Sequence, residues 1–287
     1  MVLLNEWRLM IMKKRFIIWS CSILALVAGV LWLIHNRQDE RQKVIVATVE
    51  ETSAEKRACL FRNVKKVIVY MDEMSMLNAL EEGDVDAGLT DFLTGLSAMK
   101  IGKYSNLKFT GKLIEPENIG VVFHKEDHAL RQEINEGIKR IIDNGIYRLI
   151  SQSYFGLDIG SKLKPTADEL PEIKTGDDPR HSHSGEITVA FYENDWPFSY
   201  FNDDNELTGF SVEIAKSVCQ ELGIAFNPIV YPRDEILEGL KNRYFDCVWC
   251  SISAMGPENN LFCFSNPFYV SGLQLIVKRG SKIKDLE

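Results

Sequence analysis

The chain has 287 residues, 45% of them hydrophobic and 26% charged, a globular composition long enough for two compact lobes and a linker. Its formal net charge of −8 lacks the basic field that phosphate binding needs, so a nucleic-acid partner is not expected. Cys59, Cys219, Cys247, Cys250 and Cys263 lie outside the apolar N-terminal run, and an odd number of them makes a poor disulfide framework.

Residues 16–34, FIIWSCSILALVAGVLWLI, form nineteen positions without a charge, close to the roughly 20 needed to cross a bilayer. Arg8, Lys13, Lys14 and Arg15 precede the run against the single acid Glu6, whereas Arg37, Arg41 and Lys43 after it are offset by Asp39 and Glu40. This bias puts 1–15 in the cytoplasm and the bulk of the chain in the periplasm or another extracytoplasmic space. No small-x-small cleavage site precedes the returning charges, which favours an uncleaved, single-pass signal anchor in the inner membrane.

Beyond the anchor, strand and helix patterns alternate. Residues 44–48 read as a strand, and Thr52 with Glu55 as a capping box. A strand at 67–70 leads to a helical pattern that Gly83 stops, then a short strand at 86–89 and a helix at 91–100. Residues 119–124 are a β-branched strand, and Leu130, Ile134, Ile138 and Ile141 give 128–144 one apolar helical face. Residues 157–185 hold three prolines with Gly, Ser and Asp and no sustained period, which is linker composition. Strands are then expected at 187–191, 225–231, 245–250 and 273–277, and helices at 211–222 and 233–242. In the strand at 245–250, Cys247 and Cys250 face opposite sides, so their CxxC spacing reads as buried thiols rather than a metal pair. His181 and His183 sit in the linker without further ligands nearby in sequence, and no cofactor is expected. The repeated β-α-β order predicts parallel α/β sheets with ligands at the carboxyl ends of strands, here 192–198, 231–234, 251–258, 48–52 and 90–91.

The second half carries more specific signals: Pro197-Phe198-Ser199-Tyr200, Leu207-Thr208-Gly209-Phe210, the strand opened by Asp246, and "FSNPFYVSGLQLIVKRGSKIKDLE". In this order they resemble the opening of the polar-amino-acid family of periplasmic solute-binding proteins (family 3). The first half, with "ALEEGDVDAGLTDFLTG" and a stretch ending in Tyr154-Phe155-Gly156, resembles the later part of the same family. The resemblance implies an α/β, two-lobed periplasmic-binding-protein-like fold (type II), preceded by one transmembrane helix, with its halves in inverted order.

Two readings account for the inversion: a circular permutation, with 157–185 joining the old ends and new termini opening one hinge strand, or a fragment of a tandem receptor. The two stretches complement each other, which favours permutation. On that reading 44–118 form the second lobe, 119–156 close the first lobe, and 186–287 open it.

For the site, the resemblance implies that Asp91 takes the solute ammonium, while an N-cap role at a helix start is equally natural for it. The family's carboxylate-gripping arginine has no counterpart, because Glu258 or Asn259 stands there. Val49, Glu50 and Glu51 replace a glycine turn, which makes the expected cleft acidic. Arg233 is the candidate to compensate, Trp196 and Phe198 to floor the cleft, with lobe core as the alternative and the favoured place for Phe198, and Ser251 and Ser253 to offer hydroxyls. The implied partners are a small amino-acid-like or cationic amine solute and an ABC permease or sensor. With no nucleophile–base pair in sight, catalysis is not expected; a non-binding interaction module and a dehydratase-like enzyme using Glu258 are the alternatives.

Overall fold

The computed structural model describes residues 27–30, 43–50, 52–160, 185–252 and 261–286. Strand β1 (Val44–Val49) alternates its side chains between two cores: Val46 joins a cluster with Ala54 and Leu275, while Ala47 and Val49 join another with Met76 and Leu77. A sheet buried on both faces in this way needs helices on both sides. They are α1 (Ser53–Ala58) on one face and α2 (Glu73–Glu82) with α3 (Phe92–Ile101) on the other. Thr52 caps α1 by accepting from the Glu55 amide at 3.3 Å, and Gly83 ends α2 in the left-handed region at φ 94°.

Strands β2 (Val64–Tyr70) and β3 (Ala87–Asp91) flank β1 in parallel, followed by β4 (Leu107–Ile119). The fifth strand of this sheet is the last of the chain, β12 (Tyr269–Lys278), inserted antiparallel between β3 and β4.

The second sheet shows the reciprocal insertion. Its strands β6 (Glu186–Phe191), β9 (Ala225–Val230), β10 (Cys247–Val248) and β11 (Phe262–Phe264) come from the second half of the chain. Between β11 and β10 lies β5 (Val122–His124), from the first half, in the order β11-β5-β10-β6-β9. The helices α4 (His128–Asp143), α5 (Ile146–Phe155), α6 (Phe210–Leu222) and α7 (Ile236–Lys241) share one apolar core with this sheet. A small hairpin of β7 (Tyr200–Phe201) and β8 (Leu207–Thr208) leads into α6. Side chains bind the halves further: the Tyr147 hydroxyl donates to the Phe268 carbonyl at 2.5 Å, and the Val121 amide donates to Ser265 Oγ at 2.8 Å.

Strands β4 and β12 carry the chain between the lobes. At one end of the pair, Tyr269 faces Ile119 in the core of the second sheet; at the other, Lys278 faces Leu107 beside the core of the first. The ladder is irregular midway, between Ser271 and Leu273, where Glu115 adopts φ 50°. A Cβ on Gly272 would lie 3.0 Å from the Ile114 carbonyl oxygen, so the bulge depends on glycine.

Several expectations are corrected. The sheets are mixed rather than parallel, because β12 and β5 run against their neighbours. The last strand, β12, pairs on both sides within the first sheet, and Leu286 is buried in a core beside β1. The strand expected at 245–250 narrows to Cys247–Val248, and the helix at 233–242 to Ile236–Lys241. Cys247 and Cys250 are buried free thiols, and burial pushes both well up from the ordinary thiol range. Of the apolar run at 16–34, only 27–30 fall among the described residues, as one exposed helical turn. Among the described residues no helix is long and apolar enough to cross a membrane.

Candidate functional site

A cavity of about 220 Å³ opens between the two lobes. The first sheet's lobe contributes Asp91 and Thr94, the other contributes Asp195, Phe198 and Ser251, and the crossing strands contribute Glu115, Glu117, Tyr269 and Ser271. It is smaller than the roughly 300–1,000 Å³ of sites for drug-sized ligands, which suits a small solute.

Asp91 ends β3 and caps α3. Its Oδ1 accepts from the amides of Leu93 and Thr94, both at 3.0 Å, and from Thr94 Oγ1 at 3.2 Å. Its Oδ2 accepts from the Ser271 hydroxyl of the crossing strand. Burial pushes the Asp91 carboxyl up from its ordinary value, against the pull of these donors. The side chain thus performs the cap predicted for it and also faces the cavity.

Asp195 lies in the turn after β6. Its Oδ2 accepts from Ser251 Oγ at 2.6 Å, and Ser251 Oγ accepts from the Tyr269 hydroxyl at 2.9 Å. Its Oδ1 accepts from Arg233 Nη2 at 3.1 Å, while the Arg233 guanidinium lies 3.9 Å from the centre of the Tyr192 ring. Phe198 stacks on Tyr269 with ring centres 4.9 Å apart, and burial raises the Tyr269 hydroxyl well above its ordinary value. The turn is held from behind by Gly209 at φ 128°, where a Cβ would meet the Phe198 carbonyl oxygen at 2.3 Å. That close approach lets the Ser211 amide donate to the same oxygen at 2.9 Å, which gives the Leu-Thr-Gly-Phe segment its physical reason.

Of the residues singled out in the sequence, Asp91 and Ser251 line the cavity. Arg233 does not: its guanidinium is already engaged by Asp195, and 59% of its side chain is exposed. Trp196 does not floor the cleft either; it packs against the Ala47, Met76 and Leu77 cluster of the opposite lobe, and Phe198 takes the lining position. Ser253 and Glu258 lie outside the described residues. Asp195, Tyr269, Ser271, Glu115 and Glu117 were not anticipated. The strand-end rule already marked the turn that holds Asp195, but its partners Arg233 and Ser251 stand 38 and 56 residues away.

Two mixed sheets joined by a pair of crossing strands, with a cavity between them, define a two-lobed α/β fold. The model of the bacterial extracellular solute-binding proteins, family 3, matches residues 187–284, about a third of the chain. The chain is 33% identical over 125 residues to the L-cystine-binding protein TcyJ of Escherichia coli, a match covering 43% of this chain and 44% of that one. It is 28% identical over 83 residues to an arginine-binding periplasmic protein of Mannheimia haemolytica, covering 29% and 35%. Among solved structures, the unliganded L-cystine solute receptor of Neisseria gonorrhoeae matches at 31% identity and a TM-score of 0.25, over 26% of this chain and 32% of that one. The chain therefore spans less than half the length of the curated relatives it matches.

Proposed function

We propose that this protein is a membrane-anchored, extracytoplasmic receptor that captures a small amino-acid-like or cationic amine solute between two hinged lobes. The observation that carries the reading is the cavity itself, which draws polar groups from both lobes and from the strands between them. A solute that touches Asp91 and Asp195 together favours the closed arrangement, because only closure brings the two lobes' groups to one molecule. The family match and the amino-acid-binding relatives support solute capture. The charge-free run at 16–34 and its basic N-terminal flank support an anchor with the lobes outside the membrane. An ABC permease or a sensor protein is the partner such a receptor would serve.

The inverted order of the halves is read as a circular permutation. Its support is the reciprocal insertion of β12 into the first sheet and β5 into the second, so that each half completes the other's sheet.

Thermal denaturation of the full chain in detergent micelles, against a panel of amino acids and amines, tests the receptor reading. A stabilising shift with one solute, lost in Asp91→Ala, is the expected outcome. No shift with any solute would favour a non-binding interaction module, and turnover of a bound solute would favour an enzyme.

A further inference from the structure

The charge balance of the cavity narrows the solute. Four carboxylates line it, Asp91, Glu115, Glu117 and Asp195, and no lysine or arginine does so among the described residues. Two guanidiniums stand behind the lining and each takes one of these acids: Arg57 pairs with Glu115 at 3.0 Å and Arg233 with Asp195 at 3.1 Å. Asp91 and Glu117 have no ion-pair partner among the described residues. The cavity thus presents two carboxylates in excess, with hydroxyls at Ser251, Tyr269 and Ser271 and one aromatic face at Phe198.

We infer that the cleft takes an organic dication without a carboxylate, such as a short aliphatic diamine, and discriminates against amino acids; this rests on the receptor reading above. Two ammonium groups balance the two unpaired acids, and a strongly hydrated cation leaves water favourably only where opposite charge meets it. A solute carboxylate would enter the same field with no guanidinium free to grip it, since both are already engaged by Glu115 and Asp195. Among the described residues no group of three or more acids, histidines or cysteines is arranged to hold a metal ion. Phe198 and the stacked Tyr269 offer the apolar surface that a methylene chain needs.

Isothermal titration of the full chain in detergent micelles tests this with four probes: 1,4-diaminobutane, ornithine, butylamine and calcium chloride. Ornithine carries the same two ammonium groups plus a carboxylate, and butylamine lacks one ammonium. The expected result is binding of 1,4-diaminobutane, with ornithine and butylamine each weaker by at least about tenfold. Asp91→Asn should abolish that binding while keeping an acceptor for the α3 cap. Glu117→Gln, an exposed position whose change leaves the fold intact, should weaken it about fivefold. Ornithine binding as tightly as the diamine would overturn the inference and leave the receptor reading standing. Calcium binding as tightly as the diamine, and competing with it, would overturn it in favour of simple ion exchange. Absence of binding by any probe, together with no thermal shift across the wider panel, would remove both readings.

Discussion

In the proposed receptor, Asp91 serves two ends that pull in opposite directions. As the cap of α3 it needs only an acceptor oxygen for the Leu93 and Thr94 amides; as a cation site it needs a negative charge. Burial makes that charge costly in the empty protein and holds the folded-state carboxyl above its ordinary 3.8. The sign follows: this contribution to stability is complete below pH 3.8 and is lost as pH rises through the raised folded-state value, so the ionised side chain is a net cost to the empty fold. Asp91→Asn keeps the acceptor and removes the charge. It should leave the empty protein at least as stable as the wild type at pH 7 in urea denaturation, while losing the solute-dependent shift. A loss of more than about 1 kcal/mol in Asp91→Asn would show that the charge itself supports the cap. Asp91 was legible from its motif and from its place before a helix. Asp195 was not, because nothing local in "YENDWPFSY" announces an arginine from beyond β9 lying over Tyr192 and a serine from beyond β10.

Elements with one strong period were legible, and those without were not. The stripe of Val212, Ala215, Val218 and Cys219, stopped by Gly223 at φ 71°, marked α6 almost to its ends. By contrast β4 runs for thirteen residues and was missed but for its end, because most of it is half-buried or exposed, and Gly111 and Pro116 interrupt it. Its partner β12 lies between β3 and β4 and is buried at most positions, so its second half, 273–277, was legible in the sequence while 269–272 were not.

A second feature at this scale joins the turn between β5 and α4 to the turn between α7 and β10. Arg243 Nη1 donates to both oxygens of Asp127 at 3.0 Å, and its Nη2 donates to Glu126 at 3.1 Å and lies 2.8 Å from His124 Nδ1. The Asp127 side chain is only 6% exposed, so removing its partner strands a charge in the protein. Arg243→Ala should therefore cost about 3 kcal/mol, read as a lower urea midpoint. Arg243→Lys should recover only part, since an ammonium cannot reproduce the fork. An alanine variant within about 0.5 kcal/mol of wild type would show that the clip is peripheral.

At the scale of the molecule, the first and second halves of the chain exchange one strand each, and neither sheet is complete without the other half. β12 supplies the antiparallel neighbour of both β3 and β4, and β5 fills the space between β10 and β11. The same pairings could be satisfied between two copies of the chain, each lending strands to the other, because domain swapping exchanges identical contacts. The choice between these arrangements turns on the segment 157–185, which joins α5 to β6 and in extended form reaches up to about 3.3 Å per residue, enough to cross one lobe. Closing the contacts within one chain costs loop entropy that grows only slowly with length, whereas swapping costs the association of two bodies. The intramolecular arrangement should therefore win at micromolar concentration. Multi-angle light scattering of the detergent-solubilised chain, corrected for bound detergent, should return a protein mass near 32.7 kDa that does not rise with concentration. A stable mass of twice that value, persisting on dilution, would mean that each cleft is assembled from two chains and that the permuted monomer does not form.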